Sequence, residues 1–237
     1  MLKLSNDQKK LRRKILQIIY DGKTSHIGSC LSAIDVIDAI YSVKKESEKF
    51  VLSNGHAAVA LYAVLEKRGY LKNPSLSRLN VHPDRNPKTR IDLSSGSLGQ
   101  GLPIALGMAL ANKKRNVFCM ISDGECDEGS IWETLRVIYS MKITNLKIVV
   151  SVNGWGAYDP IDPEALEKRL KGFGLEIIKV DGHSTNELKK KLRVKLRRPT
   201  IFFAKTVAQQ LPFLIGQDAH YHVMNQDEFN LAMKLLK

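Results

Sequence analysis

Cysteine is scarce in this chain. Its 237 residues hold three, Cys30, Cys119 and Cys126, at spacings that form neither a C-x-x-C pair nor an even set. That excludes a disulfide framework and a zinc knuckle, and it agrees with a reducing compartment. Long apolar runs are missing too. No stretch approaches the roughly 20 apolar residues a helix needs to cross a bilayer. The amino-terminal "MLKLSNDQKKLRRK" lacks the apolar centre of a signal peptide, so the expectation is a cytoplasmic protein with no membrane partner. Acidic residues are in deficit, 24 against 37 Lys and Arg, for a formal net charge of +13. Such a surplus marks nucleic-acid binding when it forms a stripe. Here the cations fall between apolar positions of probable helices, in "KKLRRK", "ANKKRN" and "NELKKKLRVKLRR", and read as solvated helix faces. No nucleic acid is expected; an acidic partner subunit or a phosphorylated substrate are the other uses for the surplus. No G-x-x-x-x-G-K-[ST] loop, internal repeat or low-complexity tract occurs.

What is present is enough apolar material, 43% of residues, to bury a full core. Ser5 and Gln8 form a capping box ahead of Leu11, Ile15, Ile18 and Ile19, which share one helix face. "LSAIDVIDAIYSV" reads as a second helix, "FVLSNG" as a strand entering a turn, and "HAAVALYAVLEKRG" as a helix ending at Gly69. The proline-bearing "PSLSRLNVHPDRNPKTRIDLSSG" has no period and is a long loop, of the kind that is usually functional. Beyond it, helices and apolar strands alternate: "SLGQGLPIALGMALANKK", "VFCMIS", "SIWETLRVIYSM", "LKIVVSVN", "PEALEKRLKG", "LEIIKV", "TNELKKKLRVKL" and "TIFFAKT". Trp132 and the Ile and Val positions of its helix are expected in the core. This pattern predicts an α/β fold, a single three-layer domain over residues 1–237 with a mostly parallel sheet flanked by helices.

Against the basic background, "ISDGECDEGS" places four carboxylates directly after an apolar strand. Ligands of open parallel sheets bind beyond the carboxyl ends of the strands. Asp123 follows one such strand and Asn153 ends the next, thirty residues on, with one crossover helix between. If those strands are neighbours, both side chains project over the same edge. A carboxylate and an amide oxygen suit a hard cation, magnesium or calcium, which typically keeps phosphate oxygens in its shell. Gly124 allows a bulky anion to approach the backbone, and the next helix N-terminus offers free N–H groups. The pair therefore predicts a metal-bridged diphosphate, where either dipeptide alone would read as a turn. His220 and His222, two apart, lack a third ligand for zinc.

"SDGECDEGSIWETLRVIYSMKITNLKIVVSVNGWGAYDPID" resembles the thiamine diphosphate motif of transketolases, G-D-G-E-x-x-E-G, a helix, then a strand ending in Asn. "SHIGSCLSAIDV" and "LSNGHAAVALYAVL" are similar to that family's two histidine motifs, and "HPDRNPKTRIDLSSGSLGQGLPIALGMALA" to the loop and helix before the cofactor strand. The resemblance spans residues 10 to 205 and implies the diphosphate-binding, N-terminal part of the enzyme. It makes Asp123, Asn153 and the Trp155 carbonyl metal ligands. It places His56, Gly96, Ser97, Leu98, Gly124, Glu125 and Asn153 at the cofactor. His26, His56 and His82 would line the reaction channel, with His222 favoured over His220 as the last active-site histidine. Glu128 would link cofactor sites across a subunit interface.

The implied reaction is transfer of a two-carbon ketol unit from a ketose to an aldose, using thiamine diphosphate and magnesium or calcium. The family's pyrimidine-binding domain does not occur in these residues. It is expected on a partner polypeptide, in a heterotetramer with two copies of each subunit, acting on a sugar or sugar phosphate. Ser25, Ile27 and Ser122 stand where the family commonly has glycine, proline and glycine, and "KTVAQQLPFL" departs from its Lys-Gly-rich turn, leaving the substrate more open than the cofactor. The alternatives are another thiamine diphosphate enzyme, a 2-oxoacid dehydrogenase component or a deoxyxylulose phosphate synthase, and a non-catalytic partner-binding module.

Overall fold

The computed structural model describes residues 2–237. Helix α1 (Asn6–Asp21) starts at a complete capping box, in which Ser5 Oγ accepts from Gln8 N–H and the Gln8 side chain accepts from Ser5 N–H. After α2 (Ile27–Val43), β1 (Lys49–Leu52) and α3 (Ala58–Lys67), residues 68–100 form the long connection, carrying a short 3-10 turn at Pro87–Thr89. Helix α4 (Gly101–Ala111) begins four residues later than the sequence pattern suggests, because Gly99 takes a left-handed φ of 81° that no α-helix accommodates. Then follow β2 (Val117–Ser122), α5 (Gly129–Ser140), β3 (Leu146–Val152), α6 (Pro163–Gly172), β4 (Glu176–Asp181), α7 (Thr185–Leu192) and β5 (Thr200–Lys205). The final helix, α8 (Gln226–Leu235), was outside the sequence expectation, although Asn225 and Glu228 form a second capping box at its start.

The strands make one sheet, all parallel, in the order β1-β2-β3-β5-β4. Alternation along each strand sends side chains to two separate cores. Phe118, Met120, Val149 and Phe202 pack with α1, α2, α3 and α7. Cys119, Ile121, Ile148, Val150 and Phe203 pack with α4, α5 and α6. The result is the expected three-layer α/β arrangement. The chain steps one way through β1, β2 and β3, passes over the β5 position to β4, and returns through α7, which packs on α2. Among the described residues no helix is long and apolar enough to cross a membrane.

Three side chains depart from the pattern reading. Trp132 is 44% exposed on the outer face of α5, where its Nε1–H donates to the Cys126 carbonyl at 2.7 Å; Ile131, Leu135 and Ile138 form the buried face. Arg12, counted among the solvated cations of "KKLRRK", is 1% exposed and paired with Asp35. Lys147 interrupts the apolar run of β3 yet is buried, because its ammonium caps the end of α7 by donating to the carbonyls of Leu192 and Val194.

Candidate active site

The ends of β2 and β3 lie side by side, with Ser122 in register with Ser151. Their carboxyl-terminal turns therefore share one edge of the sheet. Asp123 is fully buried there, and its carboxylate accepts three backbone N–H groups. Oδ2 takes those of Asn153 at 2.8 Å and Gly154 at 2.7 Å, and Oδ1 takes that of Gly124 at 3.1 Å. Burial still dominates and pushes its pKa up to about 6, against the lowering effect of those donors. Asn153 Oδ1 accepts the Trp155 N–H at 2.9 Å, which holds the amide over the same turn. Gly154 needs its positive φ of 86° for the chain to fold back this tightly. At Gly124 a Cβ would stand 3.1 Å from the Gly156 Cα, so any side chain there would crowd the gap between the two turns.

These turns form the floor of an open cavity of ≈ 310 Å³, lined also by His26, Ser29, His56, His82, Gly96, Leu98 and His220. Four elements contribute histidines. His26 sits at the entry to α2 with a left-handed φ of 69°, a strained conformation for a residue with a Cβ, and its N–H donates to the His220 carbonyl at 2.7 Å. His56 occupies the 3-10 turn after β1, its ring centroid 5.4 Å from that of His26, and His82 comes from the long connection, 6.3 Å from His26. His82 packs against Gly96, where a Cβ would touch its ring at 3.0 Å. Burial, with the mutual repulsion of the rings second, pushes His56 down to about 3 and His220 to about 4; His26 is lowered by the same causes. His26, His56 and His220 are therefore uncharged at neutral pH. His26 Nδ1 and His220 Nε2 are buried without a hydrogen-bond partner, as expected of groups that await a ligand.

His220 Nδ1 lies 2.5 Å from Ser29 Oγ on the cavity wall. His222, favoured from the sequence, lies off the cavity, with Nε2 2.9 Å from Glu228 Oε2 and its ring against Phe213. The structure thus brings His220 rather than His222 to the cavity: a 3-10 turn at Gly216–His220 carries the first of the two histidines inward, and the chain leaves the cavity before the second. Glu125 is likewise not on the cavity. It is a buried tie whose Oε1 accepts from Ser53 Oγ at 2.6 Å and Gly99 N at 3.0 Å, and whose Oε2 accepts from Ser122 N at 3.0 Å. It holds the 97–100 segment against the ends of β1 and β2. Ser97 is exposed and lines a neighbouring depression with His82 and Gly96. Glu128 is exposed beside Gly99. Among the described residues no cluster of three His, Cys, Asp or Glu side chains is arranged to hold a metal. A cation here would draw on one carboxylate, one amide oxygen and backbone carbonyls, an all-oxygen set suited to a hard ion.

Residues 8–235 match the family model described as "Transketolase, thiamine diphosphate binding domain". Human transketolase is 34% identical over 230 residues, covering 86% of this chain and 37% of the longer protein. The chain thus spans well under half the length of the full-size transketolases it resembles. An apulose-4-phosphate transketolase subunit from Actinobacillus succinogenes is 28% identical, covering 99% of this chain and 96% of that protein. A 6-deoxy-6-sulfo-D-fructose transketolase subunit from a Clostridium species is 34% identical over 75% of this chain and 74% of its own. In structure, the Campylobacter jejuni transketolase superposes with a TM-score of 0.80 at 22% identity, covering 98% of this chain and 42% of that one.

Proposed function

The chain belongs to the transketolase family as its thiamine diphosphate-binding domain, and on that premise we propose that it is the diphosphate-binding subunit of a split transketolase. The observation that carries the reading is the contact between the Asp123 carboxylate and the Asn153–Gly154 turn, next to a wall of histidines. Asp123, Asn153 and the Trp155 carbonyl would hold a magnesium or calcium ion, which the donor set fits, since a buried carboxylate with no countercharge gains most from a cation. Gly124 would present its N–H to the diphosphate, and Gly96 and Leu98 would meet the rest of the coenzyme. When bound, thiamine diphosphate supplies the electron sink for breaking and making carbon–carbon bonds.

The chain's own residues supply orientation and proton handling. His26 Nδ1 and His220 Nε2, free of protein partners, are placed to bind sugar hydroxyls or to exchange a proton with the reacting oxygen. Kept neutral by burial, the rings can accept as well as donate, and they do not repel a cationic thiazolium. His56 lines the same cavity as the Gly124 turn. The substrate would be a ketose donor and an aldose acceptor, as sugars or sugar phosphates. Full-size transketolases extend far beyond the region matched here, and two relatives of near-equal length are named as subunits. We therefore assign the pyrimidine-binding half to a second polypeptide, in a cytoplasmic assembly of two copies of each subunit, with Glu128 at the subunit boundary.

The test is calorimetric titration of magnesium and thiamine diphosphate into the chain with its partner subunit, followed by a ketol-transfer assay with pyruvate as the control donor. Metal-dependent binding that Asp123→Asn abolishes, and transfer from ketoses but not pyruvate, is the expected result. A flat titration with the partner present would overturn the reading.

A further inference from the structure

Away from the cavity, the most densely bonded polar cluster is buried where α1, α2 and the β4–α7 turn meet. Arg12 grips Asp35 with two nitrogens, Nη1 to Oδ1 at 3.1 Å and Nη2 to Oδ2 at 2.6 Å. His183 Nδ1 lies 2.8 Å from Asp35 Oδ2, and all three side chains are almost wholly buried. Burial alone would raise the Asp35 carboxyl; the bonds from His183 and Arg12 outweigh it and hold the group below the usual carboxylate range. Besides bonds to Gln8 and Asp181, the cluster has two side-chain contacts that reach one further segment. The Val207 N–H donates to His183 Nε2 at 2.9 Å, which requires the His183 proton to sit on Nδ1, facing Asp35. Arg12 Nε donates to Gln210 Oε1 at 2.7 Å, and Gln210 Nε2 in turn donates to the carbonyls of Leu31 and Val207.

That segment leads directly to the cavity. Thr206 N–H donates to the Val152 carbonyl at 2.8 Å, next to Asn153. Leu211 and Leu214 are buried, and Ala219 lies so close to α2 that a Cβ on Gly28 would meet its carbonyl oxygen at 2.8 Å. His220 follows, facing His26 and Ser29. Tyr221 Oη donates to the carbonyl of Ala157, in the turn after Asn153. The outer side is otherwise open: Val207, Ile215 and Tyr221 are 39%, 69% and 51% exposed. Its conformation therefore depends on inward bonds, and three of them join Val207 and Gln210 to His183, Arg12 and the Leu31 carbonyl.

We propose that Arg12, Asp35, His183 and Gln210 form a latch that positions residues 206–222, and through them His220, over the cavity. These are positioning residues: none lines the cavity, and each acts through the segment it holds. The latch itself is independent of the coenzyme reading; only its consequence for His220 rests on it.

Amide hydrogen exchange of the ligand-free chain, resolved by peptide, tests the latch without any assay of activity. Gln210→Ala removes a half-buried side chain at the rim and leaves the ion pair intact; exchange of the 207–222 amides should rise about tenfold, with β2 and β3 unchanged. His183→Ala should exceed that. His183→Gln, which keeps an acceptor for Val207, should stay within about threefold of the wild type. A rise spread evenly over the chain, or none at 207–222, would overturn the proposal, because the cluster would then serve only global stability. A second arm titrates magnesium and thiamine diphosphate into the assembled protein. Affinity lost in His183→Ala and regained in His183→Gln extends the latch to the site. If the wild type fails to bind the coenzyme while the exchange pattern holds, the coenzyme reading falls and the latch remains.

Discussion

The neutral His56 and His220 rings should make the ligand-free chain sensitive to mild acid. In the unfolded chain His56 and His220 titrate near the ordinary value of 6.5, whereas folding lowers them to about 3 and about 4. Above pH 6.5 both states hold the rings neutral, and the shift has no effect. As pH falls below 6.5 the unfolded chain takes up protons that the folded chain refuses, so stability is lost with falling pH and levels off only below the folded values. At about pH 5 the penalty is about 2 kcal/mol for each ring, from about 1.4 kcal/mol per pH unit. His56 is half-buried in an open cavity, so water screens part of its share, and about 2–4 kcal/mol for the pair is expected. Against a total stability of about 5–15 kcal/mol this is a large fraction. In urea melts with a slope of about 2–3 kcal/mol/M it moves the midpoint by about 1 M or more between pH 7 and pH 5. The comparison is with a His56→Gln, His220→Gln double variant, in which that pH dependence should be largely gone. Equal pH dependence in both proteins would refute the premise that these rings are held neutral by burial.

Two further outcomes follow from the same geometry. With the partner subunit present, His220→Ala should lower ketol transfer by about a hundredfold in kcat/KM, the scale of a lost proton-handling group, while His222→Ala, off the cavity, should leave transfer near wild type; the reverse order would return the role to His222. Glu125→Ala strands the Ser53, Gly99 and Ser122 donors in the interior and should cost about 3 kcal/mol or more in denaturant melts, with Glu125→Gln, which keeps one acceptor oxygen, less severe.

Much of the fold could be read directly, because a sheet covered on both faces demands continuous apolar strands, and α5, α6 and α7 each show a single apolar stripe. The site floor was legible for a related reason. An Asp-Gly and an Asn-Gly at successive strand ends, one crossover apart, must meet if the strands pair, and β2 and β3 do. A third turn of the same kind, Asp181-Gly182 at the end of β4, escaped notice, and it delivers His183 to the buried cluster; Asp181 Oδ1 accepts the His183 N–H at 2.8 Å. Arg12 was hidden among its cationic neighbours, since nothing local to α1 announces a partner 23 residues away on another helix. The choice between His220 and His222 turned on the path of an irregular segment, where no period tells inside from outside. Trp132 misled because aromatic size suggests burial, while its indole N–H is satisfied by a carbonyl at the surface.

The division between what is bonded and what is left free bears on how the site works. Asp123 already ties the ends of β2 and β3 together through N–H groups of Asn153 and Gly154, so the floor is built before any ligand arrives. Glu125 does the same for the 97–100 segment, and the Arg12 cluster for residues 206–222. Each tie is a buried carboxylate, or an ion pair containing one, that joins segments distant in sequence, while His26 Nδ1 and His220 Nε2 remain without protein partners. Free polar atoms persist in a buried wall only when surrounding bonds prevent collapse around them. The ties thus explain both the preformed shape of the site and the free valence within it. If Glu125 or the latch were loosened, His26 and His220 would be expected to turn toward each other and satisfy one another, and the capacity to bind would fall even with every cavity residue intact.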